Sequence, residues 1–420
     1  MDTLALLPDI VLLIPRPGPM NRLSRRSGYS SPRVSIPVTS GVSGIVRVAL
    51  EVSKLQVKRG HQVTIVCGAP SGWSSYWHGV NLMGLPLASW ARLQTPGLQL
   101  DFRFHLPLVN LCRRAQFDVI HTHSYEYLRF LKSKLRVIHY HSEAVDPSPG
   151  ARERETKRFN LVNQTSQAKI AVSQFVRDRL IRVIEEDDNL FVVPNGVDAH
   201  HFGTPEAAAK ADMLRGEWGV AGGDLVFLFS GAILPEKGVL EVAHAFSRLA
   251  ETIPNIHLVI AGSKDLWAGH KLEGFNDYEA AIFACLEPWI KASRAHILGK
   301  QTYQDMPAIY KACDVLVHTP NYQEAFALVV LEAMVSGLPV IASLSGGVPE
   351  IVNETNGLLV RRGNAVEIEA AMRKMITDDA LRTAASQAAL LTAKQFSWEN
   401  TEEQLEAIYQ HCLNEIAYEK

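Results

Sequence analysis

The chain has 420 residues, 47% apolar and 20% charged, with a formal net charge of −2. That is an ordinary globular mix, long enough for two or three domains, and it exerts no overall pull toward nucleic acid. The five cysteines (Cys67, Cys112, Cys285, Cys313, Cys412) form no Cys-x-x-Cys pair, which fits reduced thiols in a cytosolic protein and argues against a zinc site.

Taken in order, Leu4 to Ile14 is apolar but carries Pro8 and Asp9 and follows no basic region. It predicts an opening strand at Ile10–Ile14, not a signal peptide. No run reaches the roughly 18 apolar residues of a membrane span. Arg16, Arg22, Arg25, Arg26 and Arg33 crowd the following Pro/Gly/Ser loop. That loop is either solvated or suited to anionic lipid or an acceptor phosphate at a membrane surface. Gly41-Val42-Ser43-Gly44 opens a helix over Ser43–Arg59, and its glycines permit close backbone approach to a ligand.

Strands are expected at Gln62–Cys67, Asp118–Thr122, Arg136–His141, Lys169–Val172 and Leu190–Val193, with helices at Gly150–Thr165 and Ser173–Ile184. Pro194-Asn195-Gly196 is strong turn punctuation, and a polar stretch runs on to Asp224. Beyond it, strands are expected at Leu225–Ser230, His257–Ala261, His296–Leu298, Val315–His318, Pro339–Ala342 and Leu358–Val360. Helices at Val239–Thr252 and Tyr303–Cys313 alternate with them, and Trp398–Tyr418 closes the chain as one amphipathic helix. This alternation predicts an α/β protein with two Rossmann-like domains facing a central cleft. Residues 1–195 form the first, residues 196–397 the second, and the helix of residues 398–420 packs back on the first.

The residues with chemistry fall at strand ends. Glu324 precedes an apolar run and Glu332 stands inside it, where a carboxylate is retained only if something outside the hydrophobic effect holds it. With a helix starting near Phe326, eight residues span about 12 Å. That exceeds the roughly 5–10 Å between the paired carboxylates of a glycosidase. The pair suits a grip on two hydroxyl-bearing ends of one ligand, with the helix N-terminus between them facing a phosphate. The plainer alternative is a glutamate in the N-cap region plus a glutamate on a wet helix face. Ser230 to Gly238 holds Gly231, Lys237 and Gly238 between a strand and a helix, a phosphate-friendly loop without the Walker A pattern. His121, His123, His139 and His141 close two first-half strands. Four histidines raise a metal site, against which stands the lack of Asp or Cys at ligand spacing. No Asp-x-Asp pair is present to hold a divalent cation on a diphosphate.

Read together, these pieces resemble the retaining glycosyltransferases of family 4, which have the GT-B fold. The marks are Gly41-x-x-Gly44, Val193-Pro194-Asn195-Gly196-Val197-Asp198, Pro235-Glu236-Lys237-Gly238, Glu324-x7-Glu332, Ser336-Gly337-Leu338-Pro339-Val340, Gly346-Gly347-x-Pro-Glu350 and Asn356-Gly357-Leu358. The resemblance implies a nucleoside diphosphate sugar donor, with a uridine nucleotide favoured, held by the second domain. It implies Lys237 on the diphosphate and Glu332 on the ribose. Glu324 would face the transferred sugar, with the amides of Phe326, Ala327 and Leu328 near the phosphates. It further implies His141 beside the sugar and the leaving phosphate, and Gly44 near donor and acceptor. Three positions depart from the family pattern. Ala232 stands where an arginine is usual, Ala325 and Ala327 replace glycines, and Ser43-Gly44 replaces Gly-Gly.

The expected activity is transfer of a sugar, with retention, to a hydroxyl of a glycan, polysaccharide or lipid-linked acceptor, without metal or cofactor. Cytoplasmic placement with peripheral membrane contact is expected. The alternatives are a non-catalytic sugar-nucleotide-binding protein, which Ala232 motivates, and a nucleotide-sugar epimerase of related fold.

Overall fold

The computed structural model describes residues 11–14, 44–69, 71–86, 102–115, 117–123, 128, 131–142, 164–184, 189–263 and 275–418. Gly41, the arginine-rich loop and all but the last two residues of the helix expected over Gly150–Thr165 lie outside these residues. The chain divides into two compact units, one holding Gly44–Val193 with Thr401–Lys420, the other Pro194–Asn400.

The first unit is built on an eight-stranded sheet. Its strands are β1 (Val11–Ile14), β2 (Thr64–Ala69), β3 (Trp73–Trp77), β4 (Val80–Pro86), β5 (Val119–Thr122), β6 (Leu135–Tyr140), β7 (Ala168–Ala171) and β8 (Leu190–Val192). Their spatial order is β3-β4-β2-β1-β5-β6-β7-β8. Strands β5 and β7 are buried along their whole length, as expected where both faces of a parallel sheet are covered. That burial explains their near-continuous apolar runs.

Two features depart from a purely parallel arrangement. The stretch from Trp73 forms the β3–β4 hairpin, turned by His78 and Gly79 at φ 47° and 84°. Two successive positive φ values are the signature of a tight turn that follows strand twist. Strand β1 pairs antiparallel to both β2 and β5. A four-residue strand satisfies its backbone groups in either direction, so its apolar composition alone does not fix its sense.

The helix Trp398–Tyr418 is fastened within the first unit by buried and charged contacts. Arg59 Nη2 meets Glu402 Oε2 at 2.6 Å, His61 Nε2 lies 3.0 Å from Glu406 Oε2, and Tyr409 is buried.

The second unit carries a six-stranded parallel sheet: β9 (Leu225–Ser230), β10 (Ile256–Ala261), β11 (Ala295–Gly299), β12 (Val315–His318), β13 (Val340–Ser343) and β14 (Gly357–Val360). The order β11-β10-β9-β12-β13-β14 puts β9 beside β12 at the centre, where the winding reverses. In such sheets the crevice beyond the carboxyl ends at the reversal point is where ligands bind. Phe227 and Phe229 of β9 pack with Phe246, Ile260, Ile341 and Met372 in the core beneath.

Helices at Pro205–Glu217, Phe275–Lys291, Ala365–Thr377 and Asp379–Ala393 join those named from the sequence. The first lies in the polar stretch before Asp224 and buries only Ala207 and Ala211, so it shows no apolar periodicity. Its start was nonetheless legible, since Thr204 caps it by accepting the Ala207 N–H at 3.2 Å with Pro205 in the first turn.

The Pro194-Asn195-Gly196 turn is held against the start of the last helix. Val197 N donates to Phe396 O at 2.8 Å, and a side chain at Gly196 would place its Cβ 2.4 Å from the backbone nitrogen of Trp398. Neither backbone can yield. Gly196→Ala is therefore expected to lower stability by about 1–3 kcal/mol, the range for overpacked sites. Chemical denaturation should show a lower midpoint, and an unchanged midpoint would show that the turn is not so constrained.

Candidate active site

The carboxyl ends of β9 and β12 bring together three segments. The first is the turn after β9, where a side chain on Gly262 would place its Cβ 1.7 Å from Gly231 O. Two glycines thus let the backbones after β9 and β10 close on each other. Gly238, at φ 72°, approaches Thr319 O so closely that a Cβ would lie 2.0 Å away. This draws the Pro235–Lys237 turn onto the segment after β12.

Asn321 fixes the contact. Its backbone N–H donates to Glu236 O at 2.7 Å, and its side-chain amide donates to Pro235 O at 3.0 Å and to Glu241 Oε1 at 2.8 Å. The third segment is the loop after β13. Glu324 N donates to Ser345 Oγ at 3.0 Å, Gly347 N to Glu324 O at 2.8 Å, and Gly346 N to Gln323 Oε1 at 2.7 Å. Gly346 sits at φ 53°, where any Cβ would be 2.1 Å from Glu324 O.

This frame sets the charged groups. Lys237 Nζ donates to Glu324 Oε2 at 3.1 Å, and the two side chains are only 17% and 14% exposed. Tyr322 joins them: its hydroxyl accepts from Lys237 Nζ and donates to Glu324 Oε2, while the ammonium lies 4.7 Å from its ring centroid. Burial, and after it the charge of Glu324, pushes the Tyr322 hydroxyl far above the ordinary tyrosine range, so it stays a donor. His318 Nε2 lies 3.8 Å from Glu324 Oε2. Burial pushes this imidazole down to about 4, against the opposing pull of Glu324 and with a smaller contribution from Lys237.

The helix expected from Phe326 begins at Leu328 and runs to Val335. The physical reason is the extended backbone of Ala327, at φ −95° and ψ 91°, which leaves Phe326 and Ala327 ahead of the first turn. Only the five residues Leu328–Glu332 of the Glu324–Glu332 interval are therefore helical, and the expected 12 Å span does not apply. Ala327 stands at the N-cap with no side-chain acceptor, so no residue there competes for the first amides. Glu332 falls in the second turn, half-buried. Tyr310, itself fully buried, donates its hydroxyl to Glu332 Oε2 at 3.0 Å. Burial and the neighbouring Glu332 raise the Tyr310 hydroxyl well above its usual range. The carboxylate in the apolar run is held from beneath by a phenol.

Lys237, Glu324, Phe326, Ala327, Leu328 and Glu332 thus lie in one unit, at one edge of its sheet. Gly44 and His141 belong to the other unit, Gly44 as the first residue of the helix Gly44–Lys58. His141 follows β6, and its Nε2 lies 2.7 Å from His123 Nδ1. His318, Tyr322, Tyr310, Asn321 and Ser345 escaped sequence reading. Tyr322, two residues before Glu324, and His318, last in its strand, stood where chemistry was expected. Tyr310 lay on a helix with no polar signal of its own.

Two family profiles match the chain. One described as glycosyl transferases group 1 covers residues 211–391, and one described as glycosyltransferase family 4 covers residues 42–201. A D-inositol 3-phosphate glycosyltransferase of Corynebacterium aurimucosum is 28% identical over 320 residues, 72% of this chain and 74% of that protein. A lipopolysaccharide 1,2-N-acetylglucosaminetransferase of Salmonella typhimurium is 30% identical over 217 residues, 51% of this chain and 55% of that enzyme. Among solved structures, HepE of Anabaena in complex with UDP-glucose matches with TM-score 0.70 and 21% identity, covering 89% of this chain and 97% of that one. Sucrose-phosphate synthase of Thermosynechococcus elongatus matches with TM-score 0.72 and 20% identity, covering 88% and 94%. The structural likenesses carry the fold, and the two profiles, which between them span both units, carry the family: the chain is a GT-B glycosyltransferase belonging to family 4.

Proposed function

We propose that this glycosyltransferase takes a sugar from a uridine diphosphate sugar and transfers it, with retention, to an acceptor hydroxyl of a glycan, polysaccharide or glycolipid. One observation carries the reading. A half-buried lysine–glutamate pair lies at the reversal point of a parallel sheet, and an uncapped helix start and a phenol-braced glutamate follow that glutamate within eight residues. Phosphate, sugar hydroxyl and ribose hydroxyls each find a chemically matched partner there. HepE of Anabaena, similar in fold, was solved with UDP-glucose, which supports the choice of donor.

In this mechanism Lys237 exchanges Glu324 for the diphosphate when donor binds, and Glu324 turns to a hydroxyl of the sugar. Glu332 accepts the ribose hydroxyls. The bond from the anomeric carbon to the phosphate oxygen breaks while the acceptor oxygen bonds to the same carbon on the same face. The acceptor proton passes to the leaving phosphate oxygen. Negative charge growing on the diphosphate is met by Lys237 and the amides at Ala327 and Leu328, so no divalent cation is required on it. In the other unit His141 is a neutral hydrogen-bonding group, since burial and then the neighbouring His123 hold its imidazole well below the usual range.

The direct test offers the protein a panel of nucleotide sugars and acceptors, with and without Mg²⁺ or Mn²⁺, and follows nucleoside diphosphate release. Release with a uridine donor, no requirement for added cation, and a product whose anomeric configuration matches the donor by NMR are expected. An inverted product, or donor binding without release on any acceptor, would overturn the reading.

Two substitutions test the assigned roles. Lys237→Met should lower kcat by roughly 10²–10³-fold, the usual loss for a group that stabilises transition-state charge. A change confined to KM would reassign Lys237 to ground-state binding. Glu332→Ala should weaken uridine diphosphate binding by roughly tenfold to a hundredfold, as for a lost hydrogen bond to a charged group. Calorimetry showing equal affinity would remove Glu332 from the ribose.

A further inference from the structure

The histidines at the ends of β5 and β6 form a cluster that sugar transfer does not use in full. Side chains alternate along a strand, so His121 and His123 share one face, as do His139 and His141. The parallel register sets His121 opposite Val137 and Thr122 opposite Ile138, which brings His123 abreast of His139. Four imidazoles therefore meet on one face at one end of the sheet. Their ring centroids lie 4.3–5.3 Å apart for the pairs 139–141, 121–123, 123–141, 121–139 and 123–139.

The nitrogens are disposed as ligands are. One ring nitrogen from each of His121, His123 and His139 lies within 4.8 Å of the others. His121 Nε2 and His139 Nδ1 are 3.3 Å apart. Two ligands on a tetrahedral ion, each at about 2.0–2.1 Å, stand about that far from each other. Among the described residues, His123 Nε2 and His139 Nε2 are buried with no hydrogen-bond partner, a costly state for polar atoms that a bound cation relieves for the nitrogen it takes.

Outer partners stand in place as well. A cation on His121 Nε2 requires the proton on Nδ1, and the Tyr409 hydroxyl is there to accept it. A cation on His123 Nε2 requires the proton on Nδ1, and His141 Nε2 accepts at 2.7 Å. Metal-bound histidines commonly give their second N–H to such partners.

We propose that His121, His123 and His139 bind one late first-row transition cation, of which Zn²⁺ is the natural occupant. An all-imidazole donor set selects this class over Mg²⁺ or Ca²⁺, which take oxygen ligands. The ion ties the ends of β5 and β6 together and, through Tyr409, to the helix Trp398–Tyr418. The absence of Asp and Cys at ligand spacing had counted against a metal, but three histidines, two of them with hydrogen-bonded outer partners, supply three ligands without them. The site lies in the first unit and does not depend on the proposed donor chemistry.

The test uses the untagged full chain, stripped with chelator and titrated with Zn²⁺ or Co²⁺. One equivalent per chain, a visible absorption band of tetrahedral Co²⁺, and a melting temperature that rises with cation concentration are expected. Tyr409→Phe should weaken affinity by roughly tenfold to a hundredfold, the usual loss for an outer partner. His123→Asn with His139→Asn should abolish the band while His200→Asn with His201→Asn leaves it. Should the double variant at the site fail to fold, imidazole ¹⁵N spectra of the unaltered chain decide: three histidines must shift on adding Zn²⁺. No stoichiometric binding, or binding that leaves those resonances in place, overturns the proposal.

Discussion

The candidate active site depends on the pairing of β9 with β12 at the centre of the second sheet. Both strands are buried along their length, so neither can present a polar side chain to solvent except at its end. Their parallel sense puts both carboxyl ends on one edge, and the reversal of winding there leaves the crevice open. Apart from Glu332 and Tyr310 on helices and His318 at the end of β12, the polar groups of the site are turn and loop features hung on that edge. The loops themselves are locked by backbone approaches that only glycine permits, at Gly238 against Thr319 and at Gly346 against Glu324. Side-chain position follows from backbone closure, with Asn321 and Ser345 as the pins.

Much of this was legible in the chain. Apolar runs ending in Ser230, His318 and Ser343 gave the strands of the second unit, and Lys237, Glu324 and Glu332 stood out as polar groups just beyond or against such runs. The helices at Pro205–Glu217 and Phe275–Lys291 were not legible by periodicity. The first buries little, and the second carries Pro288 in its interior. The direction of β1 was hidden for a different reason: composition reports burial and not the sense of a short strand. The helix start at Leu328 rather than Phe326 turned on one backbone conformation, that of Ala327, which no side-chain pattern encodes. Tyr322 and Tyr310 were hidden because a tyrosine's apolar ring masks the hydroxyl that matters.

The same contrast separates the two units. In the second, charges face each other across short distances and the polar groups form a connected frame. In the first, the polar cluster is imidazole upon imidazole. Burial drives His121 and His139 well below the ordinary histidine range and His123 to about 3, with neighbouring rings adding to the shift at His121 and His139. Neutral rings in that arrangement lack the counter-charges that Lys237 and Glu324 give one another.

Ala232, buried where the family usually carries an arginine, leaves Lys237 as the cation paired with Glu324. Before any ligand arrives, that lysine is already neutralised by a carboxylate and covered by the Tyr322 ring. A pocket that cancels its own charge presents little field to the phosphate and chloride that surround every protein in solution. A simple anion that displaced Glu324 from Lys237 would leave a half-buried carboxylate without its counter-charge, with the Tyr322 hydroxyl still donating to it. Only a molecule bringing hydroxyl donors for the glutamate together with oxygen acceptors for the lysine can satisfy both. Discrimination against background ions is thus built into the resting contact itself.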